Sequence, residues 1–201
     1  LDAGKPVVAL ESTVITHGMD YPMNKDCAMD MINLVEENGA TPAAIAIIGG
    51  KIKIGLSEEE VEYLAKVGRK ARKCSRRDLA YCLSKKMDGS TTVAGTMYLA
   101  NLAGIKIFAT GGLGGVHRGA EETFDISADL TELSKTPVCV VSAGVKAILD
   151  IPKTLEYLET MGVPVTAIGQ DNFPNFYTSN SGQKAPFRAN DHKECAAMIE
   201  A

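Results

Sequence analysis

The sequence predicts an α/β fold: a layered α/β/α arrangement with a central, mostly parallel sheet that leaves room for mixed pairing. Three observations lead there. Short β-rich runs that are apolar on both faces, such as Pro6–Ile15, Thr41–Ile48 and Pro137–Ser142, have the composition of strands buried inside a sheet. Segments with apolar residues at helical spacing separate these runs. The two patterns alternate at short intervals, as in chains built from βα units.

The elements follow in order. Pro6–Ile15 is read as a buried strand, broken by the run His17-Gly18-Met19-Asp20-Tyr21-Pro22. Asn24–Asn38 carries Cys27, Ala28, Met31, Ile32 and Val35 on one helical face and stops at Gly39. Thr41–Ile48 is a second strand, and after Gly49-Gly50 a short third one spans Lys51–Gly55. Ser57 is the N-cap and Glu60 the capping-box partner of a helix that runs to Val67, with Gly68 behind it. Asp78–Lys86 is read as helical. Ser90-Thr91-Thr92 opens a helix of small residues that ends at Gly104. Lys106–Thr110 and Pro137–Ser142 are strands, Lys146–Asp150 a single helical turn, Pro152–Met161 a helix, Pro164–Ile168 a strand and Asp191–Ala201 a helix. Neither an internal repeat nor a low-complexity segment is present.

Composition limits the functions. With 201 residues the chain can bury a sizeable core, and 45% hydrophobic with 23% charged residues is the balance of an ordinary globular protein. A net charge of −4 argues against polymeric nucleic acid or an anionic membrane as partner. No apolar run reaches the roughly 18 residues that a membrane span requires, and no secretory leader is visible. The five cysteines are scattered without a C-x-x-C pair, which fits reduced thiols in a cytoplasmic setting rather than zinc or disulfides. The chain begins at Leu1 and ends within a helix-like stretch, so it reads as a fragment cut at both ends.

Ligands of open α/β sheets bind beyond the carboxyl ends of strands. Three strands here end in glycine or polar clusters, Glu11–Gly18, Thr110–His117 and Ser142–Lys146, and a parallel sheet would bring them together. The run G-G-L-G-G-V-H-R-G matches neither the dinucleotide fingerprint nor a Walker A loop. It is either a backbone cradle for an anion or a flexible turn. Asp125 and Asp129, with Ser127 between them, could direct oxygens to one hard divalent ion, or Asp129 could N-cap a helix starting at Leu130. Lys146 follows a buried strand directly. It is either a desolvated amine fit to attack a carbonyl or a surface lysine. Glu11, inside its strand, is a candidate general acid or a residue bonded to Ser12 or Thr13. The basic stretch Lys66–Arg77 is a solvated helix face or a contact for a phosphate. His17 and His117 are loop donors or catalytic groups, and His192 is peripheral.

The motifs E-S-T-V-I-T-H-G-M (Glu11–Met19), F-A-T-G-G-L-G-G-V-H-R-G-A (Phe108–Ala120), T-F-D-I-S-A-D-L (Thr123–Leu130), A-G-V-K-A-I-L-D (Ala143–Asp150), G-Q-D-N-F-P-N-F-Y-T (Gly169–Thr178) and K-A-P-F-R (Lys184–Arg188) occur in that order. Together they resemble the pseudouridine-5′-phosphate glycosidase family, which is also grouped with an indigoidine-biosynthesis protein. The resemblance spans almost the whole chain and implies one catalytic domain over residues 1–201, short of the family's C-terminal portion. That portion holds a late asparagine-containing segment that closes the site around the phosphate.

The resemblance implies reversible cleavage of the C–C glycosidic bond of pseudouridine 5′-phosphate to uracil and ribose 5-phosphate, a lyase reaction that passes through a lysine imine (Schiff base). Carried over residue by residue, Lys146 is the nucleophile and Glu11 the proton donor. Asp125 binds one Mn²⁺ per subunit, with waters completing the shell. Ser127, Ala128, Asp129, Lys73 and Val93 bind the substrate, and His117 lines the pocket. A homotrimer is also implied, as is a sugar-type kinase, fused or in the same pathway. Two rivals stand beside this reading: a related lyase acting on another sugar phosphate, and a non-catalytic sugar-phosphate binding protein.

Overall fold

A computed structural model describes residues 4–201, which form two compact units. The first comprises the chain up to Ala109 together with Thr136–Val140; the second comprises Thr110–Lys135 and Val141–Ala201.

The first unit carries the main sheet. Its elements are β1 (Val7–Leu10), a π-helical turn over Val14–Gly18, α1 (Met23–Glu37), β2 (Thr41–Ile48), β3 (Lys51–Ile54), α2 (Glu58–Val67), β4 (Arg72–Cys74), α3 (Leu79–Ser84), β5 (Gly89–Thr91), α4 (Val93–Leu102) and β6 (Ile107–Ala109). β7 (Cys139–Val141) completes it. The strand order is β4-β5-β2-β1-β6-β7, with β3 also on β2. β1 runs parallel to β2 and β6, and β4 parallel to β5, while β2 meets β3 and β5 in antiparallel fashion. The fold is therefore α/β with a mostly parallel, mixed sheet flanked by helices, as the sequence predicts.

β2 lies at the centre because its sequence leaves no polar face. Ala43 to Ile47 are all buried, with Ile45 and Ile47 fully so, and each such isoleucine contributes about 1.5–3 kcal/mol of apolar burial. α4 packs on β1, β2, β5 and β6, and its small residues Ala94, Gly95, Thr96 and Ala100 allow the close approach. On α1 and α2 a second set of apolar side chains, Ala28, Val61, Leu64 and Ala65, closes over Ile15 and Ala46. The capping box of α2 forms as expected: Ser57 Oγ accepts from Glu60 N–H at 3.2 Å, and Glu60 accepts from Ser57 N–H at 3.1 Å.

Several expectations fail here for identifiable reasons. The strand expected over Pro6–Ile15 stops at Leu10, and Val14–Gly18 is helical. The hydroxyls of Ser12 and Thr13 donate to the carbonyls of Ile45 and Thr91 at 2.6 Å each, and Ile15 N–H closes a turn onto Ser12 O. A short apolar run does not reveal its own period, so Val14 and Ile15 read as strand while packing as a helical turn. Ser90 and Thr91 do not open a helix but belong to β5; the N-cap of α4 is Thr92, whose hydroxyl accepts from Gly95 N–H. The basic stretch is not one helix face. It passes from the end of α2 through a 3₁₀ turn (Gly68–Lys70), β4 and a second 3₁₀ turn (Arg76–Asp78), burying Ala71 and Cys74 while its cations point outward. β7 lies at the sheet edge, and its Val141 is 46% exposed, so the strand is shorter and less buried than expected.

The second unit contains α5 (Ala120–Thr123), α6 (Ala128–Lys135), α7 (Ile151–Thr160), a parallel pair β8 (Thr166–Ile168) and β9 (Phe187–Ala189), and α8 (His192–Glu200). Val116, Ala120, Leu130 and Leu158 form its core, with Ile126, Leu133, Tyr157, Val163 and Val165 packed against them. Asp150 caps α7 by accepting from Lys153 N–H at 3.1 Å, and Asp191 caps α8 by accepting from Glu194 N–H at 2.9 Å. Lys146–Asp150 is not a helix but a turn closed by Leu149 N–H on Lys146 O at 3.0 Å.

Among the described residues no helix is long and apolar enough to cross a membrane, and all five cysteines are free thiols. Replacing Ser57 by Ala removes one arm of the capping box; chemical denaturation should show a loss of about 1 kcal/mol, and an unchanged midpoint would show that water replaces the hydroxyl without cost.

Candidate active site

The residues singled out by sequence fall into two groups, one in each unit: Glu11, Lys73 and Val93 in the first, and His117, Asp125, Ser127, Ala128, Asp129 and Lys146 in the second.

In the first unit Glu11 is the residue just past the end of β1, half-buried rather than enclosed in a strand. Behind it lies a lattice of buried hydroxyls. Thr91 N–H donates to Ser12 Oγ at 2.8 Å, Thr91 Oγ1 donates to Ile45 O at 2.7 Å, and Thr96 Oγ1 donates to Thr91 Oγ1 at 2.8 Å. With the Ser12 and Thr13 bonds described above, this ties the end of β1 to β2, β5 and α4. Each such bond is worth about 1 kcal/mol, and leaving one partner bare costs more. The strand end that presents Glu11 is thus held on several sides.

Val93 is the first residue of α4, and only 2% of it is exposed. Its side chain is packed in the core. What it offers is the backbone at a helix start, where N–H groups lack intrahelical acceptors. Lys73 is exposed on β4, paired in register with Ser90. The next register pair is Cys74 and Thr91, and Thr92 N–H donates to Cys74 O at 2.9 Å, so Lys73 stands beside the start of α4.

In the second unit the glycine-rich loop runs along Ala143–Lys146. Ala143 N–H donates to Gly111 O, Leu113 N–H to Gly144 O and Lys146 N–H to Leu113 O, at 2.8, 2.9 and 3.2 Å. Two of the three polar clusters expected to meet, Thr110–His117 and Ser142–Lys146, therefore do. Both original readings of this loop need correction. It is not a loose turn, because side chains pack directly on its backbone. A methyl group at Gly112 would lie 2.6 Å from the Phe176 ring and 3.2 Å from Lys146 Cγ. One at Gly114 would overlap Ser127 Oγ and lie 2.7 Å from Asp129 Oδ2. Nor is it an open anion cradle. The N–H groups of Leu113, Gly114, Val116 and His117 are taken by Gly144 O, Asp129 Oδ2, Thr154 Oγ1 and Asp125 O.

The acidic segment is arranged differently from its spacing. Asp129 is buried and accepts from Gly114 N–H at 3.0 Å. The residue before α6 is Ser127, whose hydroxyl accepts from Asp129 N–H at 3.2 Å, so Ser127 and not Asp129 caps that helix. Ala128 is exposed on its first turn. Asp125 is exposed, with Oδ2 3.8 Å from Nδ1 of His117, while His117 N–H donates to Asp125 O at 3.0 Å. The apolar frame expected around Asp125 is half present: Ile126 packs on the core, but Phe124 is 82% exposed with φ +55°.

Lys146 is exposed, so the desolvation expected of it is absent in this chain. Its aliphatic stem rests on the Gly112 backbone next to Phe176, and packing rather than burial positions the amine. Two contributors escaped sequence reasoning. Phe176, at φ +75°, covers Gly111 and Gly112, and its N–H donates to Ala143 O at 2.8 Å. Thr154, fully buried, accepts from Val116 N–H and donates to Asp150 O at 2.9 and 2.7 Å.

The family model for indigoidine synthase A-like proteins matches residues 1–201. The chain belongs to this family. A relative from Clostridium botulinum, named pseudouridine-5′-phosphate glycosidase, is 57% identical over 201 residues, covering 100% of this chain and 66% of its own. The crystal structure of an indigoidine synthase A-like protein from Thermotoga maritima superimposes with a TM-score of 0.92 at 36% identity, covering 100% of this chain and 66% of that one. The prealnumycin C-glycosynthase AlnA, solved in complex with ribulose 5-phosphate, gives a TM-score of 0.88 at 42% identity, over 97% of this chain and 63% of that one. The chain spans about two thirds of the length of the curated relatives it matches.

Among the described residues no group of three His, Cys, Asp or Glu side chains could cage a metal ion. Asp125 supplies one exposed carboxylate with solvent around it, which fits a hard divalent ion that keeps most of its waters. The packing on Gly114 is directly testable. Gly114→Ala should cost about 1–3 kcal/mol through overpacking against Ser127 and Asp129, read by urea denaturation; wild-type stability would mean that Ser127 retreats freely.

Proposed function

We propose that this family member is a pseudouridine-5′-phosphate glycosidase, cleaving the C–C glycosidic bond to release uracil and ribose 5-phosphate, reversibly. The observation that carries the reading is the convergence on one glycine loop: Lys146 rests on Gly112, while Ser127 and Asp129 close on Gly114 two residues away. An amine, a hydroxyl and a carboxylate held to one rigid backbone suit capture of a ring-opened sugar.

A carbon leaving group cannot depart as an alkoxide would, so protonation of a glycosidic oxygen by a carboxylic acid does not serve. In the proposed sequence the Lys146 amine engages C1′ of the ring-opened sugar. The C1′–C5 bond breaks with its electron pair going to the uracil ring, and Glu11 delivers the proton to that carbon. The resulting imine takes up water to give ribose 5-phosphate and the free amine. Ser127, Ala128 and Asp129 hold the sugar, Lys73 the phosphate, and the start of α4 at Val93 supplies a backbone contact. His117 belongs to the pocket. Asp125 would hold a divalent ion, Mn²⁺ in this reading and one per subunit, which would supply positive charge to the pocket. A homotrimer, a cytoplasmic setting and a partnering sugar-type kinase belong to the same reading and rest on the family resemblance.

The likeness to AlnA favours a second reading, in which the same amine joins a ring-opened sugar phosphate to a different carbon acceptor. Uracil release measured against a panel of phosphorylated C-glycosides separates the two.

Borohydride added with ribose 5-phosphate should leave a reduced sugar adduct on Lys146, identified by peptide mass spectrometry, and none in Lys146→Ala. An active preparation whose Lys146 stays unmodified would falsify the imine. Glu11→Gln should lower the rate of uracil release by about 10²–10⁴ while leaving ribose 5-phosphate trapping intact; loss of trapping as well would assign Glu11 to sugar binding instead.

A further inference from the structure

The reaction above uses only part of the basic stretch from Lys66 to Arg77. Two of its lysines, Lys66 and Lys70, line a cavity of about 580 Å³ in the first unit together with Lys86. That volume lies in the range of small-molecule sites. The exposed Tyr63 ring and the half-buried Val67 and Met87 form the apolar part of the lining, and Asp88 completes it. Lys70 stands shortly before β4 and Lys86–Asp88 directly before β5, so the cavity lies at the amino ends of this parallel pair. Glu11 and Val93 instead follow the carboxyl ends of β1 and β5, and Lys73, on β4 itself, is not in the lining. The cavity is therefore separate from the groups assigned to the reaction.

One wall of the cavity is tightly fixed. Lys86 follows α3 in the left-handed region, at φ +52°. Met87 N–H donates to Cys82 O at 3.0 Å and Lys86 N–H to Leu83 O at 3.2 Å, the two closing bonds of a Schellman helix end. Glycine is the usual residue at that position, because a side chain strains the left-handed backbone. A lysine kept there in spite of the strain points to a use for its side chain. The turn after β2 clamps the same backbone. Gly50 N–H donates to Met87 O at 2.9 Å, and a methyl group at Gly50 would lie 2.5 Å from Lys86 Cα. Both Asp88 oxygens are occupied: Oδ1 accepts from Gly49 N–H and Oδ2 from Tyr63 O–H, at 2.8 Å each. Lys66 is paired with Glu62 at 2.6 Å. Among the described residues neither Lys70 nor Lys86 has an ion-pair partner.

We infer that this cavity is a second ligand site that takes a nucleoside diphosphate, with the phosphates on Lys70 and Lys86 and the base against Tyr63, Val67 and Met87. Ammonium groups without counterions beside an apolar wall with an aromatic ring match a ligand that joins a polyanion to a flat ring. A nucleoside has no charge for the lysines, and pyrophosphate has no ring for the wall, so each satisfies half of the site. The inference goes beyond the proposed function and does not depend on it.

The test uses the full chain, with ADP, adenosine and pyrophosphate as probes in about 0.15 M salt, where diffuse attraction between exposed charges is screened. Titration calorimetry should show saturable binding of ADP, with adenosine and pyrophosphate each weaker by about 10-fold or more. Lys70→Gln and Lys86→Gly should each weaken ADP by about 10-fold, as expected for loss of a charge-assisted bond. Glycine adopts φ +52° freely, so Lys86→Gly should melt no lower than wild type, and its lost binding is then not lost folding. Lys85 is exposed but outside the lining, and Lys85→Gln should leave ADP binding unchanged. Saturating ribose 5-phosphate should not displace ADP. The inference is overturned by absence of saturable ADP binding, by equal losses in Lys85→Gln and Lys86→Gly, by pyrophosphate binding as tightly as ADP, or by displacement of ADP by ribose 5-phosphate.

Discussion

A backbone polar group buried at the end of a strand must find a partner, because leaving it bare costs more than any single contact returns. That constraint organises both units. In the first, the carbonyls of Ile45 and Thr91 are met by Ser12, Thr13 and Thr91 hydroxyls. In the second, the N–H groups of Gly114 and Val116 are met by Asp129 and Thr154. Among the described residues no buried side-chain nitrogen or oxygen lacks a partner. The residues singled out for chemistry are those carried just beyond these anchored points: Glu11 after Leu10, Lys146 after Val145, and Ser127 at the start of α6.

Satisfying the backbone this way has a consequence for ligand binding. A loop that spends several of its N–H groups on Gly144 O, Asp125 O and the Asp129 and Thr154 side chains has fewer left for an anion, however rich it is in glycine. The glycines of Gly111–Gly115 serve close approach, and the attractive charge for a phosphate has to come from side chains. In the first unit exposed cations stand on and around β4, where the register with β5 sets Lys73 beside Ser90.

What the sequence revealed followed from how local each signal was. The capping box at Ser57 and Glu60 and the apolar run of β2 depend on neighbours within a few residues, and both appear as read. The π-helical turn at Val14–Gly18, the strand character of Arg72–Cys74 and of Gly89–Thr91, and β9 depend on partners far away in the chain, and none was legible. The site shows the same division. Glu11, Lys146, Ser127 and Asp129 stood out from their own surroundings in the sequence, while Lys73 and Ala128 were picked out by motif order alone. Spacing alone paired Asp125 with Asp129 around one ion, and tertiary contacts bind Asp129 to Gly114 instead. Phe176 over Gly112 joins residues 64 positions apart, with no local trace of that contact.

The state of the lysines bears on which of them can react. Lys25, Lys53, Lys66 and Lys153 each sit within 3.1 Å of a carboxylate oxygen, so their amines are already engaged. Lys146 differs from these four: among the described residues its amine has no ion-pair partner, although Asp125, Asp129 and Asp150 belong to the same unit. Each of those carboxylates is directed elsewhere, Asp129 to Gly114 N–H, Asp150 to Lys153, and Asp125 to the neighbourhood of His117. The carboxylates of this unit nearest the glycine loop are thus engaged with other partners than Lys146. The stem of Lys146 is held against Gly112, and the burial first expected of this lysine is absent, so packing of the stem and not enclosure fixes where the amine stands.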